Sequence, residues 1–289
     1  MLKKRVIACL CIRDNIVVQS IQFKKYLPIG KPSIAVEFLN QWGIDEIIIL
    51  DISAAKNSLY VSDKMIKEVS AKCHVPLTVG GGLKTLEQVE HLVHAGADKI
   101  AVNNEFLVNP AFVETMAHKY GNQFVIVSID SKKNSEGKDI VFDYTKNEFT
   151  DYTPGEFAKK AEDFGAGEIL INSIDNDGTY SGYDYNLINS ICDAVNIPII
   201  CLGGAKNSED FINVFTQTNV SAAAAANFFH FSEHSVNITK SDISKTIPVR
   251  LETHANYSSN PLDESKRLNK KSENFLEHLL YVKIAEEII

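Results

Sequence analysis

Two stretches of this chain, VGGGLKTLEQ at residues 79–88 and CLGGAKNSED at residues 201–210, decide its fold, because they read as one segment written twice. Gly81 falls on Gly203, Gly82 on Gly204, Lys84 on Lys206 and Glu87 on Glu209. Each copy has the end of an apolar strand, a glycine turn and the start of a helix. At the same offset upstream, GIDEIIILDIS (43–53) falls on GAGEILINSID (165–175), with Glu46 on Glu168. Further out, RVIACLCIRDN (5–15) falls on FVIVSIDSKKN (124–134), which sets Cys11 on Asp130. Three strands thus recur in one order at nearly one spacing, as a duplicated half-molecule requires.

Between these anchors the pattern alternates. Apolar runs near 4–12, 46–52, 75–79, 98–103, 123–130, 167–173, 197–202 and 220–226 read as strands. Amphipathic stretches near 32–43, 62–72, 85–95, 109–119, 154–164, 184–194 and 207–217 read as helices. Near-continuous hydrophobic strands separated by helices pair in parallel and are buried on both faces. Eight such units predict a single (β/α)₈ TIM barrel over 1–246, with half-barrels of about 1–120 and 121–246. A doubly wound sheet is the competing architecture, and the repeat argues against it. Residues 247–289 are expected to form a polar linker and a C-terminal helix whose apolar side holds Leu276, Leu279, Leu280, Ile284 and Ile288.

At 289 residues, 45% apolar and 23% charged, the chain has the composition of a protein that buries a large core. A formal charge of −8 gives no general attraction to nucleic acid or anionic membrane. No apolar run reaches membrane-spanning length. Five cysteines without a CxxC pair point to reduced thiols, hence to the cytoplasm, and to no metal site or cofactor.

Chemistry in a barrel sits where the strands run out at their C-terminal ends. The turns holding Gly81, Gly82, Gly203 and Gly204 suit phosphate, since glycine lets backbone N–H groups approach an anion and a helix N-terminus follows. Asn103 with Asn104, and Ala226 with Asn227, end the next strands and complete each cradle. Asp177, Gly178 and Thr179 add donors beside the second. A substrate with phosphate at both ends follows as the expectation. Among the strand-end carboxylates Asp51, Asp130, Asp175 and Asp177, Asp130 is the sharpest acid/base candidate, because burial at the end of an apolar strand raises its pKa. Cys11 has no activating His or Lys nearby in sequence and reads as an apolar filler more readily than as a nucleophile. At the opposite strand ends, Arg5, Glu46, Lys99 and Glu168 have the charges for a closed ring around the barrel axis.

Together PLTVGGGLKTLEQVEHLVHAGADKIAVNN (76–104), GAGEILINSIDNDGTYSGYD (165–184) and IPIICLGGA (197–205) resemble the cyclase subunit of imidazole glycerol phosphate synthase, the HisF family, over about residues 1–240. The resemblance implies a barrel that receives ammonia from a glutaminase subunit (HisH-like) docked at its N-terminal face. It implies that Arg5, Glu46, Lys99 and Glu168 gate the ammonia path and that Asp98 contacts the glutaminase. It also implies phosphate binding at Gly82, Asn103, Asp177, Gly178 and Gly204 or Gly203.

The departures lie at the top. The family pairs two catalytic aspartates; Asp130 matches one, and Cys11 stands for the other. Gln19 stands for a lysine, and Asn104 and Asn227 stand for small hydroxyl residues. The missing strand-one aspartate, with VVQSIQFKKYLPIGKP (17–32), resembles cyclase-like proteins encoded with surface-polysaccharide genes and associated with acetamidino groups on nucleotide-activated sugars. The sequence therefore predicts an ammonia-channelling subunit in lipopolysaccharide or O-antigen synthesis, with a separate amidotransferase-like enzyme as a further partner. An authentic histidine-biosynthesis cyclase and a non-catalytic activator of the glutaminase are the alternatives.

Overall fold

The computed structural model describes residues 3–57, 59–230, 235–250, 272 and 274. Of the linker and helix expected over 247–289, residues 247–250, Ser272 and Asn274 are described, and the rest lies outside the described residues. Eight parallel strands close on themselves: β1 (Arg5–Arg13), β4 (Glu46–Asp51), β5 (Leu77–Gly80), β6 (Lys99–Val102), β7 (Val125–Lys133), β10 (Glu168–Ser173), β11 (Ile199–Leu202) and β12 (Ala222–Ala225). Pairing runs β1–β4–β5–β6–β7–β10–β11–β12, and β12 returns to β1 with Arg5 opposite Ala222. This is the (β/α)₈ barrel that the repeat predicts.

Strand alternation divides the core in two. Outward residues such as Val6, Ala8, Leu10 and Ile12 pack with the surrounding helices. Inward residues Ile7, Cys9, Ile48, Ala101, Ile126, Leu170, Ile200, Ala222 and Ala224 form a separate apolar cluster along the axis. The outer layer contains α1 (Pro32–Gln41), α2 (Asp63–Ser70), α3 (Leu86–Ala95), α4 (Asn104–Val108), α5 (Ala111–Tyr120), α6 (Pro154–Asp163), α7 (Tyr185–Cys192), α8 (Ser208–Gln217) and α9 (Ser235–Ile243). The duplication extends to their caps: Thr85 with Gln88 and Asn207 with Asp210 form capping boxes at matching positions of α3 and α8.

Two hairpins escaped the sequence reading. β2 (Ile16–Ile21) and β3 (Lys25–Gly30) follow β1, while β8 (Asp139–Asp143) and β9 (Glu148–Phe149) follow β7. They extend the two symmetry-related strands past the barrel rim. β3 and β9 are largely exposed and lack an apolar run, so periodicity gave no signal for them. The single helix expected over 109–119 begins at Ala111 and is preceded by α4; Asn109 and Pro110 separate the two.

Candidate functional site

The barrel bottom carries a closed ionic ring. Arg5 Nη1 lies 2.8 Å from Glu46 Oε2, and Nη2 pairs with Glu168 Oε1. Lys99 Nζ completes the circuit, 3.1 Å from Glu46 Oε1 and 2.8 Å from Glu168 Oε2. Each carboxylate is shared by both cations, so the four formal charges cancel. Thr78 Oγ1 donates a further hydrogen bond of 2.9 Å to Glu46 Oε1. These residues enter from β1, β4, β6 and β10, and register alone brings them to one level. Beside the ring, Asp98 accepts from the Leu77 N–H at 2.8 Å and lines an open groove with Lys99, Tyr120 and Gln123.

Above the ring lies the apolar axial cluster, and above that a cavity of about 340 Å³ at the strand C-termini. Cys11, Asp130, Asn103, Ser128 and Asn172 line its depth; Gly81, Gly82, Asp51 and Asn104 line one side. Asp130 is buried and holds one amide on each oxygen: Asn103 Nδ2 at 2.8 Å from Oδ2 and Asn172 Nδ2 at 3.2 Å from Oδ1. Burial pushes its carboxyl up to about 6, against the two amide hydrogen bonds and with help from the Asp177 charge. Cys11 is held well above the usual thiol range, first by its neighbour Cys9, then by burial and by the charges of Asp177 and Asp130. It is a protonated, buried thiol at neutral pH and does not replace a carboxylate.

The two glycine turns are close copies in space. Gly82 has φ +67° and a Cβ there would stand 2.0 Å from Leu59 O; Gly204 has φ +99° and a Cβ would stand 2.1 Å from Gly182 O. No side chain fits either place. Gly203, Gly204, Gly178, Asp177, Ala226 and Asn227 line a second, smaller cavity, which abuts the first across Asp177, Leu202 and Ala226.

Several expected residues are turned to other tasks. Asn227 clamps the first hairpin, with Nδ2 donating to Ser20 O at 2.6 Å and Oδ1 accepting from Ser20 N at 3.3 Å. Its symmetry mate Asn104 holds the second hairpin through Asp143 Oδ1 at 2.7 Å and Thr145 Oγ1 at 3.0 Å. Asp177 accepts from Ser20 Oγ at 2.6 Å, and Asp51 accepts from Ser53 and Ala54 to shape its loop. Thr179 bonds to Asn176 O and Ser181 in its own turn, and Gln19 reaches Tyr180 outside the main cavity. Sequence reasoning missed Ser128 and Asn172. Both were legible from alternation, since Ile126, Ser128 and Asp130, like Glu168, Leu170 and Asn172, share the inward face of one strand. It also missed Phe23 and Tyr144, whose rings meet edge-on with centroids 6.5 Å apart between the two hairpins.

Among the described residues no helix is long and apolar enough to cross a membrane. Residues 5–235 match the family described as histidine biosynthesis protein. A relative from Vibrio vulnificus (strain YJ016), named putative imidazole glycerol phosphate synthase subunit hisF2, is 38% identical over 91% of this chain and 97% of its own length. The imidazole glycerol phosphate synthase subunit HisF of Staphylococcus saprophyticus is 40% identical over 86% of this chain and all of its own. That of Alkaliphilus metalliredigens is 37% identical over 82% of this chain and 94% of its own. With a closed barrel, a doubled glycine turn and most of its length in register with these relatives, the chain belongs to the HisF family of histidine biosynthesis proteins.

Proposed function

We propose that this chain is the ammonia-using synthase subunit of a glutamine-dependent enzyme. A glutaminase subunit docks at the barrel bottom beside Asp98 and the ionic ring. Ammonia passes Arg5, Glu46, Lys99 and Glu168, ascends the apolar axis and meets a phosphorylated substrate at the top. The observation that carries this reading is the inward face of β10, which links Glu168 in the ring, Leu170 on the axis and Asn172 beside Asp130. An apolar axis suits neutral ammonia, because stripping water from an ammonium ion is costly. Asp130, poised near neutrality, is the general acid/base. The glycine cradles hold phosphate at the two ends of the substrate.

The relatives' names weight the reaction toward synthesis of imidazole glycerol phosphate, for which the family resemblance implies a bisphosphorylated ribulosyl substrate. Cys11 and Gln19 favour a second reading, transfer of the ammonia into an acetamidino group on a nucleotide-activated sugar for surface polysaccharide, through a separate amidotransferase-like enzyme. Complementation of a cyclase-deficient strain, with wild type and Cys11→Asp side by side, separates them. The ring-forming reading expects weak growth from wild type and strong growth from Cys11→Asp. Growth from neither rejects it in favour of the second.

A further inference from the structure

Asn172 combines three features. Its side chain is 6% exposed, at the floor of the main cavity. Its Nδ2 is fixed by the hydrogen bond to Asp130 Oδ1. Its Oδ1 is buried and accepts no hydrogen bond within the described protein. The orientation is set by chemistry: turning the amide over would press Oδ1 against a carboxylate oxygen, with repulsion in place of a bond. Oδ1 therefore faces away from Asp130, toward the second glycine turn, where a Cβ on Gly203 would stand 3.1 Å from it. A buried acceptor left without a donor is destabilising unless something arrives to supply one.

Position names the donor. Asn172 stands on the inward face of β10 immediately above Leu170, the axial residue that follows Glu168 of the ring. A molecule leaving the apolar axis passes Ser128, level with Leu170, and then meets Asn172 and Asp130, which face each other across the sheet. Resting on the function proposed above, we infer that Asn172 Oδ1 receives and orients the ammonia nucleophile by accepting one of its N–H bonds. Its nitrogen lone pair is then directed at an electrophilic carbon of the substrate. The carbon–nitrogen bond forms as the C=O π pair moves to oxygen. One nitrogen proton passes to the Asp130 carboxylate, which returns it to that oxygen; the sum is addition of ammonia across C=O, with no oxidant or further reactant. Asn172 thus touches the ammonia, whereas Asn103, on the other carboxylate oxygen, positions Asp130.

Two measurements test this. The first does not depend on the substrate's identity: the side-chain amide resonances of Asn172 are followed by NMR while ammonium chloride is added at pH 8.5, with potassium chloride as control. A saturable shift with the ammonium salt alone is expected; equal response to both salts, or none, overturns the inference. The second is steady-state kinetics with the bisphosphorylated ribulosyl substrate and external ammonia, comparing wild type, Asn172→Leu, Asn172→Thr and Asn103→Leu, each first shown to melt cooperatively. The expected result is a KM for ammonia raised at least tenfold in Asn172→Leu and partly rescued by the acceptor oxygen of Asn172→Thr, with the KM for the phosphorylated substrate within twofold. If the phosphorylated substrate's KM rises instead, Oδ1 serves a substrate hydroxyl and the inference fails. If Asn103→Leu reproduces the ammonia effect, Asn172 acts only through Asp130, and the inference again fails. A wild type that shows the NMR shift but no turnover defeats the ring-forming reaction while leaving the ammonia site standing.

Discussion

The two ends of the barrel treat buried charge in opposite ways. At the bottom, two cations and two carboxylates share every bond and cancel. At the top, Asp130 is buried without a cation and is stabilised only by neutral amides. The first arrangement holds its charges in place; the second leaves a carboxyl that exchanges a proton near neutral pH. A matched set of charges suits passage, and an unmatched one suits chemistry. Cys11 sharpens the contrast, because a second carboxylate at its position would load the top with still more uncompensated charge.

Substitutions at the top are the hardest test of this contrast. Asp130→Asn is expected to lower ammonia-dependent turnover by about 10²- to 10⁴-fold, the range for removing a general acid/base. Turnover within threefold of wild type would mean that Asp130 is structural. Cys11→Asp is expected to raise cyclase turnover at least tenfold, and to push the acid limb of the pH–rate profile above that of wild type through repulsion between the carboxylates.

At the bottom the readout is stability. Glu46→Gln leaves Arg5 and Lys99 sharing Glu168 alone. Breaking a fully buried pair costs about 3–5 kcal/mol. The cations here are 18% and 19% exposed, which lowers the expectation to about 2–4 kcal/mol in urea denaturation. A loss under 1 kcal/mol would show that the ring is screened like a surface pair.

The pH dependence gives a smaller effect of known sign. Asp130 binds its proton more tightly folded, at about 6, than in the unfolded chain near 3.8. Its favourable contribution is therefore complete below the unfolded value and is lost as pH rises through 6. Asp130→Asn should gain about 1–2 kcal/mol on wild type between pH 5 and pH 7.5. A constant difference across that range would place the carboxyl in water.

What was legible in the sequence follows the physics of each part. The repeat and the apolar runs disclosed the barrel, because parallel strands buried on both faces write themselves as continuous hydrophobic segments. Arg5, Glu46, Lys99 and Glu168 were legible because charges at the starts of such strands are conspicuous, and the closed register joins all four. Asn104 and Asn227 were not readable in the same way. Their residue type fits a phosphate cradle, yet Asn227 gives both amide atoms, and Asn104 its amide N–H groups, to hairpins that no periodicity announced. Asn172 was legible in place but not in role: alternation sets it on the inward face of its strand with Glu168 and Leu170. An asparagine inside an apolar strand acquires meaning only when its neighbour across the sheet, Asp130 in the register of β7 and β10, is known.

The contrast between the ends stands or falls on whether nitrogen travels from one to the other. The direct measurement is to reconstitute the chain with the glutaminase subunit proposed as its partner, supply amide-¹⁵N glutamine with the bisphosphorylated ribulosyl substrate in unlabelled ammonium buffer, and determine the label in the product. Conduction from the ring to Asp130 predicts product carrying predominantly ¹⁵N, with the label diluted toward the buffer's isotope in Glu46→Gln. Product whose nitrogen comes from the buffer in wild type would contradict passage through the barrel.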